Sequence, residues 1–346
     1  MRQLVFEGAR ASRWIDAPSP SLTSPTAALV RPEVVSTCDM DAVAMSGLIR
    51  FRAGTPLGHE GVGTVIDVGT DVARFAHGDR VIIPWQISCG ICGRCKQGQD
   101  THCETVPAGS CYGWGPQVSR WGGFLADLVE VPFADHMLVP LPPGLDPSVA
   151  VGLSDNLVDA WRAVGPPLRT TRGGRVLIVG GAMPDGGSIG VYAAAFAVGL
   201  GADEVVFVSH DAHLCQLAAD YGATVHRVEA KFEDLGLFDV TAETSGLADA
   251  LRFALRSTGP SGICTCTAGA VHRGQDVPMP VYEMYMNTVT FHTGWVHTRP
   301  LITEPLQHMT DGLFDPCQIA DAATFDDAPA AFAEPFHKLI LTRLPT

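Results

Sequence analysis

From Arg175 to Thr267 short apolar runs alternate with helical patterns, and this alternation leaves few folds open. Arg175 to Val179 reads as a buried strand, followed by a glycine loop and a small-residue helix from Ile189 to Gly199. Glu204 to Val208 is the next strand, Ala212 to Tyr221 a helix closed by Gly222, and Asp239 to Glu243 a third strand. A helix from Leu247 to Ser257 and a fourth strand from Gly262 to Thr267 continue the series. Strands separated by a whole helix pair in parallel, so the expected fold class is α/β, with a doubly wound parallel sheet. Upstream, Ala160 to Val164 reads as a helix end that Gly165-Pro166-Pro167 breaks.

The chain is 346 residues long, which suits two domains. Up to about Ala150 it reads as short strands and loops punctuated by Gly and Pro, with strands at Gly61–Gly69 and Arg80–Pro84. This half is mostly β. The last segment, Gln318 to Leu344, ends in Lys338-Leu339-Ile340-Leu341 and reads as a helix and a strand that return to the first domain.

Net charge limits the partners. With 23 basic and 37 acidic residues the chain carries −14, and no long Lys/Arg run offers a surface to nucleic acid or anionic membrane. The run from Ile189 to Leu200 is too short to span a bilayer. The N-terminus, Met1-Arg2-Gln3-Leu4-Val5-Phe6, lacks the pattern of a cleaved secretory signal. Four of the ten cysteines crowd between Cys89 and Cys103, which points to a metal in a reducing, cytoplasmic setting rather than to disulfides.

Those four are Cys89, Cys92, Cys95 and Cys103, spaced C-x2-C-x2-C-x7-C. Tight glycine turns let the thiolates converge, and four of them complete a closed tetrahedral zinc shell. An iron–sulfur cluster is the rival, but bacterial ferredoxin runs place the last Cys after three residues and follow it with Pro. Here seven residues intervene and Glu104 follows. A shell without an open position implies a structural zinc.

Cys38 lies in Ser36-Thr37-Cys38-Asp39-Met40-Asp41, and His59 in Gly58-His59-Glu60-Gly61. Taken alone, each reads equally as a packed side chain. The order Cys-x-x-Asp, Gly-His-Glu, Gly78-Asp79-Arg80-Val81 and four-cysteine lobe resembles the zinc-containing medium-chain alcohol dehydrogenase/reductase family. Gly122-Gly123-Phe124-Leu125-Ala126 with Val131-Pro132 resembles the family's strand before its domain junction, and Lys338-Leu339-Ile340 its C-terminal strand. The resemblance implies a GroES-like catalytic domain at 1–152 with a structural zinc lobe at 86–106. It also implies a Rossmann nucleotide-binding domain at 153–295, a return segment at 296–346, and a site in the cleft between the domains. It implies two zinc ions per chain, one catalytic and one structural. It carries Cys38 and His59 over as ligands of the catalytic zinc, with Asp155 standing where many relatives have Cys. Three protein ligands leave one position for water or substrate. Asp41 resembles the family's acid that orients the His ligand, and Glu60 is a candidate for exchange with the zinc water.

The nucleotide loop is Val179-Gly180-Gly181-Ala182-Met183-Pro184-Asp185-Gly186-Gly187-Ser188-Ile189-Gly190, between a strand and a helix. Such a turn offers backbone N–H groups to a pyrophosphate. The candidate cofactor contacts are Gly180, Gly181, Gly187, Ser188, Ile189 and Gly190, with Ser209 and His210 at the adenosine ribose. Relatives that prefer NAD carry an acid where Ser209 stands, yet no Arg or Lys follows to bind a 2′-phosphate, so NAD and NADP both stay open. The usual proton relay is missing: Met40 replaces a hydroxyl residue, Val43 a His, and Asp159 a Thr. Asp159 is therefore a candidate general acid–base. The expected activity is hydride transfer between NAD or NADP and a small alcohol or carbonyl, in a homodimer or homotetramer. The rivals are reduction of a specialised or conjugated carbonyl in a biosynthetic pathway, and a zinc-stabilised nucleotide-binding protein without turnover.

Overall fold

The structure is a computed structural model that describes residues 1–344 apart from 50, 172–173, 182–184, 273 and 275. The chain divides into two compact units, Met1–Val158 with His297–Asp311 and Ala320–Thr346, and Asp159–Val296 with Gly312–Ile319. The sequence placed the boundaries at 152/153 and 295/296. The first cut instead falls inside the helix Asn156–Thr170, and the return segment lends Gly312–Ile319 to the second unit.

The first unit is built on a seven-stranded sheet. Its order is Asp321–Thr324, Leu339–Thr342, Ala28–Ser36, Glu60–Val68, Arg80–Ile83 and Val139–Pro140, with Val129–Val131 also pairing Ala28–Ser36. All pairs are antiparallel except the first. The C-terminal strand docks in the register Ile340↔Ser36 and Leu341↔Val35. Val30, Val35, Val65, Val81, Ile83 and Leu341 bury their side chains in one core, with Phe124 and Leu125 from the following loop. Gly122–Ala126 is not a strand: only Ala126 makes a bridge, to Gln3, and the regular pairing begins at Val129.

The second unit carries a six-stranded, wholly parallel sheet. The order is Thr224–Arg227, Glu204–Ser209, Arg175–Val179, Phe238–Glu243, Thr258–Cys266 and Thr290–Thr293. Numbered along the chain this is 3-2-1-4-5-6, the doubly wound order. The helix Ser188–Gly199 is apolar nearly all round, and nine of its residues are buried, as expected for a helix enclosed within a unit. The two edge strands, Thr224–Arg227 and Thr290–Thr293, were not read from sequence, because their residues are mostly exposed and carry no apolar run.

One expectation is corrected. The helix Asn156–Thr170 continues through Gly165-Pro166-Pro167. Proline's fixed φ is compatible with a helix, and the cost is the two lost N–H donors. Burial of Ala160, Trp161, Ala163 and Val164 outweighs that loss. Gly165 serves packing rather than termination, since a Cβ there would lie 2.5 Å from the Trp161 Nε1. Among the described residues no helix is long and apolar enough to cross a membrane.

Candidate metal centres and nucleotide loop

The sulfurs of Cys89, Cys92, Cys95 and Cys103 all lie within 4.8 Å of one another. Hydrogen-bond donors in the lobe favour ionisation of two of them, Cys89 and Cys92. Cys89 Sγ accepts from the Ile91 and Cys92 N–H groups, both at 3.4 Å, and from the Thr105 hydroxyl at 3.0 Å. Cys92 Sγ accepts from the Cys95 and Glu104 N–H groups at 3.5 and 3.4 Å, which bring its thiol down to about 6. Burial pushes Cys95 the other way. Four convergent sulfurs ringed by N–H donors, in a chain whose cysteines are all free, are a donor set for a soft or borderline dication.

The second constellation lies wholly in the first unit. Ligand atoms of Cys38, His59 and Asp155 fall within 4.8 Å of one another, and all three residues are buried. Cys38 ends the strand side of this layer and caps the helix Asp39–Met45, where its Sγ accepts from Met40 N–H at 3.2 Å. His59 precedes the strand Glu60–Val68, and its Nε2 faces Asp155 Oδ2 at 3.4 Å. Asp155 is brought there by Ser154, whose hydroxyl accepts from Gly61 N–H at 2.9 Å and donates to Gly61 O at 3.1 Å.

The surrounding electrostatics ask for a cation. Burial pushes the Cys38 thiol up to about 12, with His59 opposing it and Asp41 and Asp155 adding to it. Burial alone would lower the His59 imidazole, but Asp41, Cys38 and Asp155 together raise it well above its ordinary value. A thiolate and a carboxylate aimed at one buried point are the groups a divalent ion would neutralise, and S, N and O donors together suit zinc. Three ligands leave its shell open.

Asp41 lies between the Cys38 backbone and the His59 ring. Its Oδ2 accepts the Cys38 N–H at 2.9 Å while Oδ1 faces His59 Nδ1 at 3.6 Å. Glu60 is placed differently from a free exchanging group. Its Oε2 accepts from the Ser36 hydroxyl and, at 2.7 Å, from Lys338 Nζ, and its Oε1 accepts the Asn156 N–H at 2.8 Å. Burial raises the Glu60 carboxyl and Lys338 counters it. Lys338 was not read from sequence as part of the site, since nothing local to it marks a partner 278 positions away.

Aromatic rings surround this centre. The Trp85 and Trp114 rings lie 5.5 and 6.5 Å from the His59 ring, and Phe51 stacks on Trp114 at 4.8 Å. Met40 is half-buried and Val43 fully buried.

In the second unit, Gly187 caps the helix Ser188–Gly199 with φ +101°, a left-handed conformation that favours glycine. Gly190 lets the helix close on the sheet, because a Cβ there would lie 2.6 Å from Thr244 Oγ1 and 3.2 Å from Gly180 Cα. Ser188 is buried and Ile189 half-buried, and Gly180 N–H donates to Val208 O at 3.0 Å. Ala182, Met183 and Pro184 lie outside the described residues. The Ser209 hydroxyl supports the loop itself, donating to Gly181 O at 2.8 Å and accepting from Asp211 N–H at 3.0 Å. His210 is exposed, edge-on to Phe232. Arg227 is the in-register neighbour of Ser209 on the next strand, a cation that sequence adjacency does not reveal. Asp159 is buried and ion-paired with Arg162, which also donates to Gly294 O at 2.7 Å.

A family model described as the alcohol dehydrogenase GroES-like domain matches residues 24–143. An L-threonine 3-dehydrogenase of Streptomyces coelicolor is 33% identical over 267 residues, covering 73% of this chain and 72% of its own. A probable zinc-binding alcohol dehydrogenase of Mycobacterium tuberculosis is 29% identical over 84% of this chain and 73% of its own. Among solved structures, an alcohol dehydrogenase of Thermus sp. ATN1 superposes with a TM-score of 0.87 at 27% identity, over 99% of this chain and 100% of that one.

Proposed function

The chain belongs to the zinc-containing medium-chain alcohol dehydrogenase/reductase family, and from that premise we propose that it transfers a hydride between a nicotinamide cofactor and the carbon of an alcohol or carbonyl, using Cys38, His59 and Asp155. It is an enzyme of the zinc-dependent dehydrogenase type. The convergence of those three buried ligands, with Asp41 behind His59, is the observation that carries the proposal. Zinc bound there would act as a Lewis acid on the substrate oxygen. Cys89, Cys92, Cys95 and Cys103 would hold a second, structural zinc.

The other residues take supporting parts. Asp41, 3.6 Å from His59 Nδ1, would orient the ring by accepting from Nδ1–H once the pair closes, leaving Nε2 for the metal. Glu60 fixes the N–H beside Asp155, and its exchange onto the metal would require the Lys338 pair to open. The N-terminus of Ser188–Gly199, with Gly180, Gly181, Gly187 and Gly190, receives the cofactor pyrophosphate. Parallel neighbours in register point to the same face of a sheet, so Arg227, which also faces Glu229 at 3.7 Å, would offer its charge to a 2′-phosphate beside Ser209, and we read the preference as leaning to NADP. Asp159 is the candidate proton carrier in place of the missing hydroxyl, working while held by Arg162. The active form is a dimer or tetramer, as the resemblance implies.

The test is turnover by zinc-loaded protein over a panel of alcohols and aldehydes, followed by nicotinamide absorbance. Asp155→Ala and His59→Ala should abolish turnover while nucleotide binding, measured by calorimetry, persists. An Asp155→Ala protein with full zinc content and the wild-type rate would remove Asp155 from the ligand set. Nucleotide binding without turnover of any substrate would favour a binding protein.

A further inference from the structure

Two arginines of the first unit stand together beside the four-cysteine lobe. The one-turn helix Ala134–Met137 leaves the carbonyls of Asp135 and His136 without partners inside the helix. Arg74 Nη1 donates to the first and Arg299 Nε to the second. Successive carbonyls of a helical turn point the same way along its axis, so the two guanidinium groups are drawn side by side. Each feels the other's charge. Burial, and after it Arg74, hold the Arg299 guanidinium below its ordinary value, against Asp100.

The acids nearby are committed elsewhere. Asp100 is 1% exposed, and its Oδ2 accepts from the Ser88 hydroxyl at 2.9 Å and meets His136 Nε2 at 2.8 Å. Asp135 accepts the Ala73 and Arg74 N–H groups, one on each oxygen, both at 2.9 Å. Arg80, Arg162, Arg175 and Arg343 each pair with a carboxylate. Among the described residues no carboxylate oxygen lies within 4.0 Å of the Arg74 or Arg299 guanidinium. That is notable in a chain with 37 acidic and 23 basic residues, where acids are plentiful.

Three distant stretches of chain meet here. Arg74 lies in the loop 69–79, with its guanidinium over the Phe75 ring at 5.5 Å. Arg299 lies in the helix Thr298–Leu301, which the lobe holds: Thr101 N–H donates to His297 Nδ1 at 3.3 Å, and Thr298 N–H to Gln86 Oε1 at 3.4 Å. The Thr298 hydroxyl, next along the chain to Arg299, is fully buried and has no hydrogen-bond partner among the described residues.

We propose that Arg74 and Arg299 bind a phosphate group, either inorganic phosphate or the phosphoryl end of a small metabolite, where the loop 69–79, the helix Ala134–Met137 and the helix Thr298–Leu301 meet. Planar forks with free N–H donors and no carboxylate of their own are the donor set for an oxyanion, and a dianion matches two fixed cations where a carboxylate leaves one charge over. Occupancy would tie the three stretches together and stabilise the first unit.

The experiment titrates inorganic phosphate, methyl phosphate and acetate into the zinc-loaded full chain at constant ionic strength, read by calorimetry and by thermal unfolding. The wild type should bind phosphate, and Arg74→Gln and Arg299→Gln should each weaken it by roughly tenfold or more. Arg74→Lys, which keeps the charge but not the fork, should fall between wild type and Arg74→Gln. Tm should rise with phosphate in the wild type and much less in the variants. Methyl phosphate binding as well as inorganic phosphate assigns the site to phosphoryl groups, and inorganic phosphate binding alone assigns it to the free ion. Arg74 is exposed, so Arg74→Gln leaves the fold in place even where Arg299→Gln does not. Phosphate binding unchanged in Arg74→Gln, no binding by the wild type at concentrations on the order of 10 mM, or acetate binding as tightly as phosphate overturns the proposal.

Discussion

Replacing Lys338 by Met tests whether the buried pair with Glu60 holds the first unit together. Lys338 is 1% and Glu60 0% exposed, and the Nζ–Oε2 distance is 2.7 Å. Methionine keeps most of the apolar stem but removes the charge that Glu60 faces, and it strips a 2.6 Å donor from Thr37 O. Removing one member of a buried pair costs about 3–5 kcal/mol, because the remaining charge stays buried without its partner. For a unit of this size that lowers Tm by roughly 6–20 °C. The loss should depend on pH. Burial already raises the Glu60 carboxyl above its ordinary 4.5, and Lys338 is what holds it down. Without Lys338 the folded state binds a proton more tightly than the unfolded state. Stability of the variant is then greatest below about 4.5 and falls as pH rises toward the elevated folded value. Thermal unfolding by circular dichroism at several pH values, with zinc content measured, reads all of this. The double variant Lys338→Met with Glu60→Leu should recover much of the stability. A Lys338→Met protein that melts within about 2 °C of wild type at neutral pH would refute the reasoning.

Three further outcomes follow from the site. Asp159→Asn should lower the rate by roughly 10²–10⁴-fold and remove one limb of the pH–rate profile; an unchanged profile with zinc bound assigns the proton to solvent. Arg227→Ala should raise KM for NADP by roughly tenfold or more and leave NAD nearly untouched, and equal effects on both would exclude a 2′-phosphate contact. Metal analysis should return two zinc ions per chain. After chelation Cys92 should alkylate ahead of Cys95, with its reactivity falling away as pH drops below about 6; peptide mass spectrometry showing equal rates would contradict the N–H···S account.

The parts of the molecule legible in sequence were those written in short spans. Cys89 to Cys103 sit in one lobe, and the inner strands of the parallel sheet carry continuous apolar runs such as Val176 to Val179. Cys38, His59 and Asp155 lie far apart and became a set only through a family resemblance. What stayed hidden depends on pairing across distance. Arg227 meets Ser209 through strand register, Lys338 meets Glu60 across the sheet, and Trp114 meets His59 through a loop packed on Gly58. The edge strands hid because exposure erases the apolar pattern, and Pro166-Pro167 misled because packing overrode a local preference.

The two candidate metal sites differ in when they can be finished on the ribosome. Cys89 to Cys103 form a contiguous stretch, so the four-sulfur lobe has all its ligands once Cys103 has emerged. Glu60 must wait for Lys338, 278 residues later, which at bacterial and eukaryotic synthesis rates is roughly 14–56 s. Over that interval the second unit, nearly continuous in the chain, has emerged almost whole. The sheet carrying Cys38 and His59 still lacks its strand Leu339–Thr342. Nascent chains halted before residue 338 would therefore hold all four lobe sulfurs while Glu60, beside His59, still lacks its Lys338 partner.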